Sequence, residues 1–377
     1  MSNTLENLIP EILVSLDVVS RELTGFIPAV TLDAESSRAA KDQTIRSFVA
    51  PAATAGDITP GVTPPDDGDQ TIGNVTLSIT KARRVPIRWN GEQTLGVNSG
   101  HGAAAVRAAQ IQQAIRTLTN EIEADLAGLH AYASRAAGTA GTTPFATAND
   151  YTGASLTRKI LADNGAPMSD LQLVIDTTAG ANIRGKQAAA ADAGGDSILR
   201  QGVLLDINGF MVRESAQVKA PTAGSVSGTL ASLARAVGTT SLTTSADYTS
   251  TLLAGDVITI AGDTNQYVIT SVSASAITIG APGLMQATTT GTKAITVVAT
   301  ARRNMGFHRS AIVLAHRLPA LPDGGDLAID RKTVTDPRSG LSFEVAMYAQ
   351  YRQMQYEISC AWGVKMVKPA HCALLLG

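Results

Sequence analysis

The sequence contains few charged and few aromatic residues. Charged residues make up 16% of the chain and aromatic residues 4%, whereas about a quarter of an average globular protein is charged. The 30 Lys and Arg residues against 32 Asp and Glu create no basic field for nucleic-acid binding as a main function, and the scarcity of aromatic rings argues against base-stacking platforms. Two explanations of the low charge stay open: extensive burial between subunits, or a chain rich in small residues with a modest core.

Cysteine-rich and strongly apolar segments are also missing. Cys360 and Cys372 are too few for a disulfide framework or a zinc site, and we expect two free thiols in a protein made in the cytoplasm. Glu6, Glu11 and Asp17 interrupt the first apolar stretch, so we expect no signal peptide. No run approaches the roughly 20 apolar residues of a membrane span, so we expect no membrane contact.

Motifs that carry chemistry are absent from the sequence. It contains no HExxH, GxGxxG, GxxxxGKS, GxxxxGKT or GxSxG pattern, so we expect no catalytic residues, no metal and no cofactor. His308 and His316 lie on one predicted helix, where we expect them to be solvated. The acidic run Asp66, Asp67 and Asp69 resembles part of a calcium loop but lacks the glutamate that closes such a loop, which favours a simple turn.

The first 99 residues predict two segments that extend from the body. Leu5, Leu8 and further apolar residues recur at helical spacing over residues 4–24, which predicts an amphipathic helix that either docks on its own chain or reaches a neighbouring molecule. Residues 43–99 predict a long two-stranded excursion with a proline-rich tip at 50–70. A lone hairpin is marginal in water, so we expect this segment to rest on another chain; a disordered loop within an ordinary domain is the alternative.

The rest of the chain predicts a mixed fold that a β-rich module interrupts. An apolar stripe over residues 102–135 predicts a spine helix, with Glu123 among the charged residues that lie mostly off the stripe. Residues 217–299 are rich in Thr, Ser, Gly, Ala and Val and predict an all-β module. Residues 307–318 predict a helix, and residues 341–367 predict a pair of long strands.

The order of these parts resembles the coat proteins of tailed phages of the phage P-twenty-two type, which have the Hong Kong ninety-seven capsid fold. The stretches that carry the resemblance are HGAAAVRAAQIQQAIRTLTNEIEADLAGL, NGFMVRES, AGDVITIAGDTNQYVITSVSASAITI, ARRNMGFHRSAIVLAHRLP and SFEVAMYAQYRQMQYEISCAWGVKMVKPAHCALLL. The likeness extends over nearly the whole chain. It rests on the shared order of elements rather than on catalytic signatures.

The resemblance implies an α+β fold in six parts. These are an N-terminal arm (1–42), an extended two-stranded loop over a neighbouring subunit (43–99), a peripheral domain with the spine helix (100–154), a first axial part (155–216), an inserted small β-barrel domain (217–299), and a second axial part with peripheral strands (300–377). It further implies a major capsid protein, structural and not enzymatic. Such a protein assembles in the host cytoplasm and is located in the virion of a tailed double-stranded DNA phage.

The implied partners are other copies of the chain in hexameric and pentameric capsomers, a scaffolding protein, a portal, a decoration protein and packaged double-stranded DNA bound without sequence specificity. We expect contacts between subunits at the base of the loop, at its acidic tip and on the arm, through Arg83, Arg84, Arg88, Asp66, Asp67, Asp69, Leu5 and Leu8. Contact with encapsidated DNA and a solvated strand face are the alternatives for the arginines. The alternative functions are another virion component, such as a tail or decoration protein, and an enzyme with a β-accessory domain.

Overall fold

One helix of the protein is far longer than the others. The computed structural model describes residues 24–34, 38–49, 53, 55–63, 68–98, 102–147, 150–187, 206–224, 228–337 and 339–377. Within them the α-helices are α1 (Gly91–Asn98), α2 (Gly102–Gly128), α3 (Thr152–Asp163) and α4 (Thr177–Gln187). The predicted spine helix is confirmed as α2, which has 27 residues and ends earlier than predicted, in a 3₁₀ turn at Leu129–Tyr132. Of the predicted N-terminal helix, residues 4–23 lie outside the described residues.

Most strands belong to two large sheets. The strands are β1 (Thr31–Asp33), β2 (Thr44–Val49), β3 (Gly73–Ser78), β4 (Lys81–Asn90), β5 (Arg135–Ala137), β6 (Leu171–Ile175), β7 (Phe210–Glu214), β8 (Gly228–Leu230), β9 (Ser241–Thr243), β10 (Val257–Ile260), β11 (Gln266–Ser273), β12 (Ala276–Ile279), β13 (Lys293–Val297), β14 (Arg303–His308), β15 (Ile312–Arg317), β16 (Ala328–Thr335), β17 (Ser342–Gln350), β18 (Gln353–Met366) and β19 (Cys372–Leu376). A six-stranded sheet has the order β1-β15-β18-β17-β16, with β4 also on β18. An eleven-stranded sheet runs β7-β6-β14-β19-β5-β11-β10-β13-β8, with β12 on β11 and β9 on β12, and β2 pairs with β3 alone.

The six-stranded sheet packs one face against α2. Apolar residues of α2 at helical spacing form a single cluster with alternating residues of β17 and β18, which includes Ile115, Leu118, Ile122, Leu126, Phe343, Ile358, Cys360 and Trp362. Each fully buried Leu, Ile or Phe contributes about 1.5–3 kcal/mol relative to an exposed one. Trp362 also donates from Nε1 to Asp125 Oδ2 at 2.9 Å. The helix is therefore held on the sheet by both apolar and polar contacts, and the predicted strand pair at 341–367 is confirmed as β17 and β18.

The centre of the eleven-stranded sheet is buried on both faces. All residues of β6 and β19 are buried, and the apolar faces of α3 and α4 pack on them through Leu161 and Ile183. The sequences of these strands are nearly continuous apolar runs because both faces of each strand are buried. The two sheets share one core cluster through β14 and β19, in which Phe307 and Leu374 contact the cluster around α2.

Residues 228–297 contain only strands as regular elements, from β8 to β13, in agreement with the β content predicted for 217–299. Most of their buried apolar side chains form a cluster of their own, including Leu230, Ile258 and Ile295, whereas Val257 and Val268 pack in the cluster around α2. We refer to residues 228–297 as the β-module. The strands continue the large sheet rather than forming a separate one, so an independent inserted domain stays a prediction.

The β-module joins the body at β5. Strand β11 pairs with β5 through two residue pairs, Gln266 with Ala136 and Tyr267 with Arg135. The buried Arg135 side chain crosses this joint, since Nη1 donates to Asn265 Oδ1 at 3.0 Å and Nη2 to Asn164 Oδ1 at 2.9 Å. One guanidinium thus connects β11, β5 and the end of α3.

The predicted helix at 307–318 is wrong. This range contains the end of β14, a 3₁₀ turn at Arg309–Ala311 and β15. Five of the six residues of β15 are buried, so the strand lacks an exposed face. A short run buried on both faces has no alternation, and periodicity alone does not distinguish it from a helix. His308 and His316 consequently lie in different sheets.

The segment that leaves the body is shorter than the predicted range 43–99. All ten residues of β4 pair with β18 in the chain's own sheet, and α1 follows directly. Val85, Ile87 and Trp89 recur at every second position because their face of β4 packs against α2. Their alternation does not indicate that β4 continues the excursion. The excursion itself is the β2–β3 hairpin, which is in register over six residue pairs.

Candidate intersubunit surface

The β2–β3 hairpin is anchored to the six-stranded sheet at its base. Leu77 and Ile79 are buried there and pack with alanines of β15 and β18. Gly363 of β18 allows this close approach, because a Cβ at that position would lie 2.0 Å from the carbonyl oxygen of Ser78. Lys365 adds a hydrogen bond from Nζ to a β3 carbonyl at 2.7 Å. The body therefore fixes where the hairpin emerges.

The tip of the hairpin lies beyond this base. The described residues of the tip, at 53, 55–63 and 68–72, are all exposed. Three of them carry large apolar side chains: Ile58 is 97% exposed, Val62 105% and Ile72 67%. Single exposed apolar residues are ordinary, but a group of them on one protruding segment marks an interaction site.

The acidic tip and the arm are only partly described. Asp69 is exposed on the tip. Asp66 and Asp67, together with Leu5 and Leu8 of the arm, lie outside the described residues. Their predicted contacts stay predictions.

The structure divides the predicted basic cluster between the two faces of β4. Arg83 faces α2, where its Nε lies 3.1 Å from Glu121, whereas Arg84 and Arg88 lie on the opposite face because side chains alternate along a strand. Arg84 Nη1 lies 2.7 Å from Glu357 of β18. The Arg83 and Arg84 side chains stay 58% and 60% exposed, so each guanidinium retains donors for a second carboxylate.

Lys81 at the start of β4 does not belong to an open basic patch. Its Nζ lies 3.1 Å from Glu121 and 2.9 Å from Asp125, and 5.8 Å from the ring centroid of Trp362. Burial disfavours the charged ammonium, but hydrogen bonds to the two carboxylates outweigh it and raise the pKa of Lys81. Lys81 therefore connects the sheet to α2.

An open cavity of 830 Å³ lies at the far end of β4. It is lined by Trp89, by Leu95 of α1, and by Arg352 and Met354 at the turn between β17 and β18. Leu95 is 75% exposed, so the cavity offers apolar surface beside one guanidinium. The cavity could not be expected from the sequence, because α1 was not predicted.

A buried carboxylate attaches the N-terminal part of the chain to the spine helix. Glu123 Oε1 accepts from the backbone N–H groups of Gly25 and Phe26 at 2.5 and 2.7 Å, and Oε2 accepts from Ile27 at 3.0 Å. Burial raises the pKa of Glu123, and these hydrogen bonds partly offset that effect. Glu123 was predicted to lie off the apolar stripe, yet it is fully buried. Its neighbour Thr119 is buried too, so α2 is enclosed over a wider arc than its apolar residues indicate.

The two histidines of the predicted helix, His308 and His316, lie in separate surroundings. His316 is buried against Phe343, with ring centroids 5.9 Å apart, and His308 is half-buried beside His371 at 6.5 Å. The expectation that both would be solvated is wrong for His316. Among the described residues, no group of three or more His, Cys, Asp or Glu side chains is arranged to hold a metal ion. Over the same part of the chain, no helix combines the length and apolarity needed to span a bilayer.

Solved structures of similar fold come from phage and related particles. The capsid structure of the cyanophage P-SCSP1u contains a chain with 12% identity and a TM-score of 0.52, and the match covers 100% of this chain and 92% of that chain. A chain of Mycobacterium phage Che8 has 13% identity and a TM-score of 0.48, with 98% of each chain covered. A chain of the capsid of a native GTA particle has 9% identity and a TM-score of 0.48, covering 100% and 94%. No protein-family model and no curated protein sequence matches the chain.

The likeness to the cyanophage chain extends over the whole sequence and establishes the fold. The predicted mixed α+β architecture of the Hong Kong ninety-seven capsid type is therefore confirmed. The narrower resemblance to the phage P-twenty-two type stays a prediction. At 12% identity the comparison carries no residue roles from one chain to the other.

Proposed function

We propose that this chain is the major capsid protein of a tailed double-stranded DNA phage, with a structural rather than a catalytic role. In this proposal it assembles in the host cytoplasm and becomes part of the icosahedral shell of the virion. The observation that carries the proposal is the β2–β3 hairpin, whose exposed apolar tip extends from a body with a capsid-type fold.

Exposure of the apolar tip to water costs free energy, and contact with a partner surface would remove this cost. Burial of apolar surface contributes about 25 cal/mol per Å², and Ile58, Val62 and Ile72 offer such surface outside the core. In a closed shell each copy both inserts a hairpin and receives one, so weak contacts add through multivalency. The near-neutral net charge of −2 limits repulsion between many copies.

The receiving surface in this proposal is the outer face of β4 and the cavity at its end. Arg84 and Arg88 would form ion pairs with Asp66, Asp67 and Asp69 of a neighbour's tip. Arg83, which already pairs with Glu121, would bind a further carboxylate of that tip. The cavity beside Trp89 offers apolar walls of the kind that the tip side chains need. Leu5 and Leu8 of the arm would add a second contact with a neighbouring copy.

We further propose that the parts of the chain have the roles that the resemblance implied. The peripheral and axial parts would form hexameric and pentameric capsomers, and residues 217–299, which include the β-module, would act as an inserted domain. A scaffolding protein, a portal, a decoration protein and packaged DNA bound without sequence specificity are the other proposed partners.

Electron microscopy of the purified full-length chain, alone or with its scaffolding protein, tests the capsid function. We expect closed shells, whereas tubes or monomers under all conditions would contradict it. A variant that lacks residues 50–70 is expected to keep its circular dichroism spectrum but to sediment as unassembled protein. A control variant with Ile58→Ser, Val62→Ser and Ile72→Ser keeps the length of the loop and removes only its apolar side chains. Loss of folding in the deletion variant would count against the assignment of this segment.

A further inference from the structure

The β-module meets the end of the spine helix at a buried imidazole. His130 lies in the 3₁₀ turn that follows α2 and is buried. Its Nδ1 is 3.0 Å from the carbonyl oxygen of Ala127, so Nδ1 carries the proton and donates to that carbonyl. The other nitrogen, Nε2, faces the module, because a Cβ built on Gly255 would lie 3.1 Å from it.

The turn that Nε2 faces is hydrogen-bonded to β11 of the module. Gly255 has a φ of +92°, which suits glycine in a tight turn. Its N–H donates to the carbonyl of Ile269 at 2.7 Å, and residues 253–256 lead directly into β10. Leu252, next to this turn, is buried in the module cluster. A displacement of the turn is therefore transmitted to the packing of the module.

The charges around His130 are mostly positive. Arg303 at the start of β14 is 1% exposed, and within the described residues Nε, Nη1 and Nη2 of its guanidinium form no hydrogen bond. The positive charge of Lys219, in the segment that precedes the module, also disfavours a second proton on His130. The nearby carboxylate is Asp256, whose oxygens already accept from the backbone N–H groups of Gly224 and Leu253. Burial, followed by the charges of Arg303 and Lys219, lowers the pKa of His130.

A proton on Nε2 would thus add a third positive charge to a region that contains one committed carboxylate. Moving the turn at 253–256 away from the helix end would relieve this repulsion by admitting water. The pairing of β5 with β11 and the Arg135 hydrogen bond to Asn265 involve residues 135, 136 and 265–267, and none of these side chains gains a proton in mild acid. They would hold while the turn moves.

We propose that His130 is the trigger of an acid-sensitive hinge, in which protonation releases the turn at 253–256 and lets the β-module rotate about its β5–β11 joint. At neutral pH the imidazole is uncharged and the module is seated against the spine helix. In mild acid the module becomes mobile without unfolding. This inference concerns the single chain and does not depend on the proposed shell.

Hydrogen–deuterium exchange of the full-length chain at about pH 7.5 and about pH 5 tests the hinge, with rates corrected for intrinsic exchange. We expect peptides that span 250–273 to lose about tenfold in protection at the lower pH, while peptides of β6 and β19 keep theirs. In His130→Gln, which retains an amide donor for Ala127, the difference between the two pH values should disappear even if the absolute protection changes.

His316→Phe is the matched control, because it removes another buried imidazole that lies in the six-stranded sheet; it should keep the full acid effect at 250–273. Arg303→Met should reduce the acid effect at 250–273, because it removes one of the positive charges that repel a protonated His130. The hinge is refuted if acid leaves 250–273 protected in the natural chain, or if His130→Gln retains the acid effect. It is also refuted if β6 and β19 lose protection to the same extent, since that outcome means global unfolding.

Discussion

The carboxylate of Glu123 accepts the backbone N–H of Phe26 at 2.7 Å, across 97 positions of the sequence. Together with the N–H groups of Gly25 and Ile27, this contact attaches residues 25–27 to the spine helix. An anchor of this kind holds these residues at a defined point on the body.

Replacing Glu123 by Gln should therefore destabilise the chain. An amide oxygen accepts two hydrogen bonds at most, and the amide NH₂ would face a donor, so at least one buried N–H loses its partner. Such a group costs about 1–3 kcal/mol, and we expect a loss of about 2 kcal/mol in the free energy of unfolding, measured with urea. Glu121→Gln on the same helix is the control, because Glu121 forms partly exposed ion pairs and should cost under about 1 kcal/mol. Equal effects of the two substitutions would contradict the anchor.

Gly363→Ala should detach the base of the hairpin. A Cβ there meets the Ser78 carbonyl oxygen at 2.0 Å and the Cα of Ile79 at 3.2 Å, and both are backbone atoms that move only with β3. We expect the substitution to cost about 1–3 kcal/mol and to accelerate proteolysis within the hairpin. Gly128→Ala is the control, since its Cβ would meet nothing within 4 Å; it should leave the melting temperature unchanged or higher. A normal protease pattern in Gly363→Ala would show that the base tolerates a side chain.

The stability of the chain should fall in mild acid, partly because of His316. Burial, with a smaller effect of Arg317, lowers the pKa of His316 to about 4 from its ordinary 6.5. The folded chain keeps this imidazole neutral at a pH where the unfolded chain binds a proton. The free energy of unfolding is therefore not reduced by His316 above pH 6.5. It falls by about 3 kcal/mol as the pH decreases toward 4.

Urea unfolding at several pH values measures this effect. His316→Phe should flatten the pH dependence between about pH 6.5 and about pH 4, whatever its effect at neutral pH. A slope equal to that of the natural chain would show that His316 ionises normally.

A charge exchange tests the proposed contact between the tip and β4. Arg88→Glu should slow assembly on the order of tenfold at low salt, because it places a negative charge opposite the acidic tip. Adding Asp69→Lys in the same chain should restore assembly, as each copy then presents complementary charges again. Light scattering measures the rates. Lys332→Glu on β16 is the control with the same charge change, and a deficit as large as that of Arg88→Glu would point to net charge rather than to this contact.

The long elements of the fold could be predicted because each has one apolar face. The stripe on α2 and the alternation in β17 gave the correct structure for this reason. β15 could not be predicted, because burial on both faces removes the periodicity. β4 showed the expected alternation, but alternation does not identify the partner strand, and its pairing with β18 depends on contacts more than 260 residues away in sequence.

The candidate surface was predicted only in outline. The prolines of the loop indicated an excursion, and Ile58 and Val62 are indeed exposed on it. The distribution of Arg83 and Arg84 over two faces follows from strand geometry, once β4 is known to be a strand. The role of Glu123 could not be predicted, because its partners are backbone groups, which have no signature in the sequence.

The joint between β5 and β11 has a mechanical consequence. In the part of the chain that the structure describes, two residue pairs connect the β-module to the rest of the sheet in the hydrogen-bonding direction, and the bonds of an antiparallel pair run across the strands. A sideways pull on the module therefore loads these few bonds directly, in tension, with the Arg135 side chain as reinforcement. Under such a load the first yielding within the chain should occur along this seam, well before the spine helix or the six-stranded sheet gives way.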